Sequence, residues 1–229
     1  EFLDEDGLMT YLHSTVSVDN RPMKYPRVPF LIDKYMYDTP FYGGLEPQLG
    51  HKHLRVVAPI SYGTDSTFGL FDEFNRLDFP IRWVTRAVTM SKTDVADELS
   101  SERRKLKGKT QSLTATIADA TVRSGQQNMD NIDDVAVDRL AEVRDAMNAV
   151  EGDHISFVYY STAVLVMDED RETVEEKAKL IRQIFIERGI KAAKIEDFNA
   201  VDTWFSCIPG KAGNVRQPML STGNLVHMM

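Results

Sequence analysis

The sequence predicts an α+β fold: two split β-α-β units form a ferredoxin-like sheet, and a long antiparallel helical hairpin is inserted between them. Three observations support this prediction. A strand–helix–strand pattern covers residues 51–90, a second one covers 155–195, and the intervening residues 93–150 repeat apolar side chains at helical spacing. With 229 residues, the chain is long enough to bury a hydrophobic core without disulfides or metal ions.

The first fifty residues predict an irregular lead-in rather than a domain. Residues 4–13 favour a short helix with acidic residues in its first turn. Three prolines follow (Pro22, Pro26 and Pro29), and a passage rich in glycine and proline extends to Gly50. We therefore place a boundary near residue 50, with 1–50 as the lead-in and 51–229 as the α+β domain.

The first β-α-β unit begins at His51. Residues 54–58 and 81–90 alternate in the way that strands do. Between them, five apolar side chains fall at helical spacing and predict an α-helix: Phe68, Leu70, Phe71, Phe74 and Leu77. This unit supplies the first half of the predicted sheet, with its helix on one face.

The second unit starts with a long strand from Ile155 to Met167, which is rich in valine, tyrosine and threonine. Apolar residues between Val174 and Phe185 then line one face of a helix. Asp168 and Asp170 are expected to cap this helix at its start, and Gly189 stands where a C-terminal cap belongs. Residues 190–195 predict a short closing strand.

Two narrow apolar seams predict the hairpin at 93–150. Their members are Val95, Leu99, Leu106, Leu113 and Ile117 in the first helix, and Ala136, Leu140, Val143, Met147 and Val150 in the second. A turn is predicted at 125–131. Because such seams bury little surface, the polar outer faces are left for partners, and we expect the hairpin to contact neighbouring subunits or membrane components.

Composition excludes several classes of function. The net charge of −8 argues against a nucleic-acid-binding surface, since phosphate neutralisation needs concentrated lysine and arginine. Trp83 with Arg82 and Arg86 offers only a weak version of a nucleic-acid-binding sheet face. Cys207 is the single cysteine, which rules out an internal disulfide and a cysteine metal cluster, and its apolar neighbours predict a buried, inert thiol.

One segment partly matches a phosphate-binding loop. Gly210 and Lys211 stand as they do in that motif, but Phe205 occupies the position of the first glycine and Ala212 that of the Mg²⁺-binding hydroxyl. Nucleotide binding at this loop is therefore not expected.

Asp168 and Glu169 follow an apolar run, as the Mg²⁺-binding acid of an ATPase does, but helix capping explains them more simply. His51 and His53 could share a metal ion, yet no third ligand is evident nearby. The alternative of an autonomous nucleotide-dependent enzyme, built on these acids and a histidine, lacks a paired motif. The alternative of a nucleic-acid-binding module conflicts with the net charge.

Six residues are candidates for an interface rather than for catalysis. Arg103, Arg104 and Lys105 lie in the strongly basic run of residues 103–109. Acidic residues one turn earlier could offset these charges, so a solvated helix face is the expected explanation, and an acidic partner or anionic lipid is the alternative. The other three candidates, Asn214, Arg216 and His227, lie in the last segment, 208–229.

Several short motifs have no evident physical explanation in the sequence. They are Tyr11–Ser17, Gly43–Gly50, His53–Val56, Asn75–Leu77, Arg82–Arg86, Asn199–Asp202, Pro209–Gly210, Asn214–Pro218 and Asn224–Met228. In this order and spacing, the set resembles the CagE/TrbE/VirB family, in particular the TrbE-type ATPases of conjugal transfer and type IV secretion. The resemblance covers nearly the whole chain.

The resemblance implies that this region precedes a C-terminal motor domain, with residues 208–229 as the linker. ATP and Mg²⁺ would bind that motor, so no cofactor and no catalytic residue are expected in this chain. The absence of an initiator methionine and the apolar end at 226–229 agree with an excised segment. The resemblance further implies export of DNA or protein at the cytoplasmic face of the bacterial inner membrane, homo-oligomers, docking to other secretion components, and no direct contact with nucleic acid. We therefore expect a non-catalytic assembly and docking segment.

Overall fold

The computed structural model describes residues 2–28, 31–62, 68–69, 71–121, 141–150, 152, 155–190, 192–211 and 213–228, with the side chains of the helix that ends at residue 121 described as far as 108. The chain divides into two compact units. The first comprises Glu1–Ala87, Tyr159–Met219 and Asn224–Met229, and the second comprises Val88–Val158 and Leu220–Gly223. The predicted division at residue 50 stays a prediction.

The described elements alternate between helices and strands. In chain order they are α1 (Glu5–Val16), α2 (Ile32–Met36), β1 (Phe41–Tyr42), β2 (Gln48–Leu49), β3 (Lys52–Pro59), a 3-10 helix (Asp72–Arg76), β4 (Arg82–Thr89), α3 (Lys92–Thr121), α4 (141–150), β5 (Phe157–Asp168), α5 (Arg171–Glu187), β6 (Ala193–Ile195), α6 (Ala200–Ser206), β7 (Met219–Ser221) and α7 (Thr222–His227). The prediction of a mixed α and β fold is confirmed.

The strands join in one sheet with the order β1-β2-β3-β5-β4, while β6 pairs with β3 and β7 pairs with β5. Strand β3 runs antiparallel to β2, β5 and β6. β2 pairs with the start of β3 at residues 52–53, and β6 pairs with its end at 57–59. β2 and β6 therefore share one edge of β3 and leave a break between them, at Arg55.

The predicted α-helix at residues 68–77 is wrong. Among the described residues of this range, Asp72–Arg76 alone is helical, as a short 3-10 helix, and Gly69 before it has a φ of +69°. Phe71 and Phe74 are buried against Phe185, with ring centroids 5.8 and 5.0 Å away. A spacing of three residues suits a 3-10 helix as well as an α-helix, so the apolar pattern alone does not distinguish the two. The ferredoxin-like split arrangement is accordingly not confirmed.

The core of the first unit lies on both faces of β3. On one face, Leu54, Val56 and Ala58 pack with Trp204 of α6. On the other, α5 contacts β3 and β6 through its buried stripe. Each large apolar side chain buried in this way contributes about 1.5–3 kcal/mol to stability. The expectation of helices on a single face is wrong, because β3 is buried on both faces, with Val56 on one and Arg55 and Val57 on the other.

In the second unit, four predicted seam residues are buried: Val95, Leu99, Val143 and Val150. Residues 122–140, which include the predicted turn at 125–131, and the side chains of residues 109–121 lie outside the described part. The antiparallel pairing of the hairpin therefore stays a prediction.

Candidate functional site

The motif Tyr11–Ser17 forms the end of α1 and is fixed by side-chain bonds. His13 is fully buried, and its Nε2 lies 2.8 Å from Oδ2 of Asp38. Ser17 and Thr39 bring their hydroxyls within 3.0 Å of each other. Burial alone would raise the pKa of Asp38, but hydrogen bonds from His13, Ser17 and Thr39 outweigh it and hold the pKa well below its usual range. Asp38 is therefore an anionic anchor for α1.

The first and last residues of the motif Arg82–Arg86 on β4 bind the C-terminal ends of two helices. Arg82 donates to the backbone carbonyls of Ser14 and Thr15 in the last turn of α1, the latter at 2.9 Å. Arg86 donates to the carbonyl of Ser206, the last residue of α6, at 3.0 Å. Cations placed at unpaired carbonyls of a helix C-terminus are stabilising. Both arginines therefore have a structural explanation that the sequence does not reveal.

Residues 213–218, which we call the strap, have no helix or strand and are held by side-chain and backbone bonds. Nδ2 of Asn214 donates to Oγ of Ser161 at 2.6 Å. The carbonyl of Pro218 accepts from the backbone N–H of Tyr160 at 3.0 Å. These two bonds fix the strap along β5.

Arg216 provides the strongest anchor of the strap. Its guanidinium makes two parallel bonds to Glu196, with Nε 2.6 Å from Oε1 and Nη2 3.0 Å from Oε2. Glu196 is 1% exposed, so this is a buried, two-pronged ion pair. Asn214 and Arg216 were predicted as interface residues, and the structure directs both side chains inward. A role for them in an interface stays a prediction.

The remaining interface candidates are separate from the strap. The ring of His227 lies 4.2 Å from that of Phe68, centroid to centroid. Arg103, Arg104 and Lys105 are exposed on α3, and Arg104 donates to the carbonyl of Ser100 at 3.3 Å. Among the described residues, no carboxylate pairs with these three cations, in contrast to the expected offset by acidic residues one turn earlier.

The candidates for nucleotide chemistry make structural contacts. Oδ2 of Asp168 accepts from Nζ of Lys177 at 2.5 Å, and this bond lowers the pKa of Asp168. Asp170 caps α5 by accepting from the backbone N–H of Thr173 at 2.7 Å, which confirms the predicted cap at this residue. The predicted cap at Asp168 is wrong, because its other carboxylate oxygen accepts from the backbone N–H of Asp170 instead. Nζ of Lys211 lies 6.0 Å from the centre of the Phe205 ring.

The metal and thiol candidates behave as ordinary structural residues. His51 lies 3.3 Å from Glu169, whereas His53 lies 3.3 Å from Gln48. Within the described part of the chain, no group of three potential metal ligands occurs. Burial raises the pKa of the Cys207 thiol to about 11, against the opposing effect of two nearby arginines, so it is a buried thiol as predicted.

A cleft of about 630 Å³ opens beside α5, at the break between β2 and β6. Its lining residues are Leu45, Glu46, Arg55, Arg171, Glu172, Glu175, Glu176, Lys179, Ile195, Glu196 and Asp197. All of them belong to the first unit. Six carboxylates thus stand beside three cations.

The floor of this cleft is a closed ion network centred on Arg55. The Arg55 side chain is 8% exposed, with Nε 2.9 Å from Glu175 and Nη2 3.1 Å from Glu46. Arg171 makes a forked contact with Glu46 at 2.6 and 2.7 Å, and these hydrogen bonds lower the pKa of Glu46 to about 2. Sequence reasoning missed this cleft. An arginine between apolar residues of a buried strand is a signal that could have revealed it, since a buried charge requires partners.

The mouth of the cleft differs from the floor. Glu172, Glu176 and Lys179 are exposed on α5, and none of them has an ion-pair partner among the described residues. The cleft therefore combines a neutralised floor with exposed charges of both signs at its rim.

Known proteins share this sequence pattern. Residues 109–215 match a family described as the CagE, TrbE, VirB family, component of type IV transporter system. Over 225 residues, 98% of the chain, it is 25% identical to a probable conjugal transfer protein TrbE of Sinorhizobium fredii and to the conjugal transfer protein TrbE of Rhizobium radiobacter. The chain spans 33% and 26% of the lengths of these relatives. No described helix is both long and apolar enough to cross a bilayer.

Proposed function

We propose that this chain, whose resemblance to the CagE, TrbE, VirB family is confirmed, acts as a non-catalytic assembly and docking segment of a type IV conjugal transfer protein. The observation that carries the proposal is the use of the family motifs. Their arginines join separate segments of the first unit: Arg82 and Arg86 donate to backbone carbonyls at the ends of α1 and α6, and Arg216 pairs with Glu196. Such motifs build a rigid scaffold that presents its remaining surface to partners.

The contacts of the acids support the same proposal. Asp168 bonds to Lys177 and Asp170 caps α5, so neither carboxylate is free to hold a hydrated Mg²⁺ without breaking a structural bond. On the floor of the cleft, Glu46 is held in an ion pair with Arg55 and is therefore not available there as a general base.

The properties of the whole protein belong to the proposal as well. Because the chain spans about a third or less of the length of its relatives, ATP and Mg²⁺ would be used by a motor domain outside this segment. We propose homo-oligomers, docking to other components of the transport system, and a position at the cytoplasmic face of the inner membrane. The exposed cations Arg103, Arg104 and Lys105 are the surface that supports contact with an acidic partner or membrane.

Deletion of residues 111–137 from the full-length protein tests the docking role. We expect loss of conjugal transfer or a change of oligomer size, with ATP hydrolysis by the protein retained. A second variant replaces the same residues with a flexible glycine–serine linker that joins the remaining helix ends. It should show the same loss as the deletion, because it also lacks the hairpin but joins the helix ends without strain. Unchanged transfer together with unchanged oligomer size would contradict the role of the predicted hairpin.

A further inference from the structure

We propose that the cleft beside α5 docks a polypeptide segment of a partner protein that carries lysine or arginine next to an apolar side chain. The inference rests on the proposed docking function and names the chemistry of the partner. It follows from three properties of the cleft: a floor with no free charge, two carboxylates without an ion-pair partner beside Lys179 at the mouth, and the exposed apolar side chain of Leu45 at the edge.

The floor excludes small charged ligands. Arg55 and Arg171 both bind carboxylates already, so an anion would have to displace Glu46 or Glu175. A metal ion is disfavoured as well, since the described residues contain no group of three ligands that could hold one. Glu196, at the same wall, is neutralised by Arg216.

The mouth offers two carboxylates to a partner. Glu172 and Glu176 stand four residues apart on α5, so they face the same side of the helix, about 5–6 Å apart at Cβ. Both are exposed and make no ion pair among the described residues, while Arg171 interacts electrostatically with Glu172 and exposed Lys179 lines the same mouth. In an extended segment, cationic residues at every second position share one face, and their Cα atoms lie roughly 7 Å apart. This distance is close to the separation of the two carboxylate-bearing residues.

Apolar side chains at the edges favour a polypeptide over a free cation. Leu45 is 56% exposed and lines the cleft, together with Ile195. Phe198, which directly follows the lining residue Asp197, is 81% exposed. Exposed apolar groups beside free charges are typical of sites where a partner buries both kinds of surface.

A peptide that alternates lysine and leucine, labelled with a fluorophore, is the probe for this cleft. Anisotropy titration with the full 229-residue chain should show binding that weakens with salt. The E172Q/E176Q variant should bind about tenfold more weakly, because two exposed ion pairs are lost. The matched control D33N/D202N removes two exposed carboxylates of the same unit and should leave binding unchanged.

Two further measurements separate the charged from the apolar contribution. A peptide that alternates lysine and serine should bind several-fold more weakly than the lysine–leucine peptide, and the L45S/F198S variant should abolish this preference. All the substituted residues are exposed, so the midpoint of thermal unfolding should stay unchanged and serves as the check on folding.

Absence of binding, or equal affinities of E172Q/E176Q and D33N/D202N, would overturn the proposal. Self-association of the chain that disappears in E172Q/E176Q would overturn it too, since the occupant would then be a second copy. Failure in any of these ways leaves the hairpin-deletion result unaffected, so loss of the cleft proposal and loss of the docking function can be told apart.

Discussion

The arginines of the first unit and the cations of α3 use the same chemistry in opposite ways. Arg55 and Arg216 are largely shielded from solvent and make multiple bonds to carboxylates, whereas Arg103 and Arg104 are exposed and bind no described carboxylate. A paired cation in a desolvated setting holds segments together, while an unpaired one on the surface adds little to stability and stays available to a partner. The paired arginines therefore belong to the scaffold of this chain, and the unpaired arginines belong to its candidate contact surface.

The largest effect is expected at the strap. Arg216→Ala removes the partner of Glu196, a carboxylate that is 1% exposed, and leaves a buried charge without compensation. We expect a loss of about 3–5 kcal/mol in the free energy of unfolding, measured by urea denaturation. Glu196→Gln with Arg216→Met, which removes both charges, should lose clearly less. Equal losses in the two variants would contradict the burial argument.

A smaller effect is expected at the end of α1. Arg82→Ala leaves the carbonyls of Ser14 and Thr15 without their donor, and we expect about 1–3 kcal/mol of destabilisation. Hydrogen exchange should rise in the amides of α1 more than in those of α5. A uniform rise throughout the unit would show that Arg82 stabilises the fold globally rather than α1.

The dependence on pH should follow the anchored carboxylates. Asp38 and Glu46 have folded-state pKa values below their unfolded values, so their contribution is present above about pH 4 and is lost as pH falls through the folded values. We expect the urea midpoint to fall between about pH 4 and pH 2. Asp38→Asn should flatten this decline, and an unchanged slope would contradict the role of Asp38.

The smallest effect is expected on α3. R103E/R104E reverses two exposed, unpaired charges, so the free energy of unfolding should change by less than about 0.5 kcal/mol. In the full-length protein the same variant should reduce conjugal transfer. A large loss of stability would place these arginines in the scaffold and remove the contrast between the two regions.

Local patterns in the sequence predict local structure well in this chain. The strand character of β3, the apolar face of α5, the cap at Asp170 and the positive φ of Gly189 are all readable because they depend on neighbours within a few residues. The 3-10 helix at Asp72–Arg76 is not, because its apolar spacing also suits an α-helix and its Phe74 packs against Phe185, far along the chain.

The candidate site was less predictable for the same reason. Arg216 and Glu196 are twenty residues apart, and Arg55 and Glu175 are 120 apart, so nothing in their local sequences indicates that they pair. The resemblance drew attention to Arg55, Arg82 and Arg216 as motif members without giving their contacts. Arg103 and Arg104 were readable as an exposed basic run, since their own helix determines their position.

The most direct test of the central claim is thermal unfolding of the chain with and without saturating MgATP. A ligand at 100 times its Kd stabilises the folded state by about 2.7 kcal/mol, which raises Tm by roughly 5–10 °C for a domain of this size. We predict no shift, because the acids at 168 and 170 are bound within the scaffold. A clear shift would contradict a non-catalytic segment and would direct attention to Asp168, Glu169 and Lys211 as members of a nucleotide site.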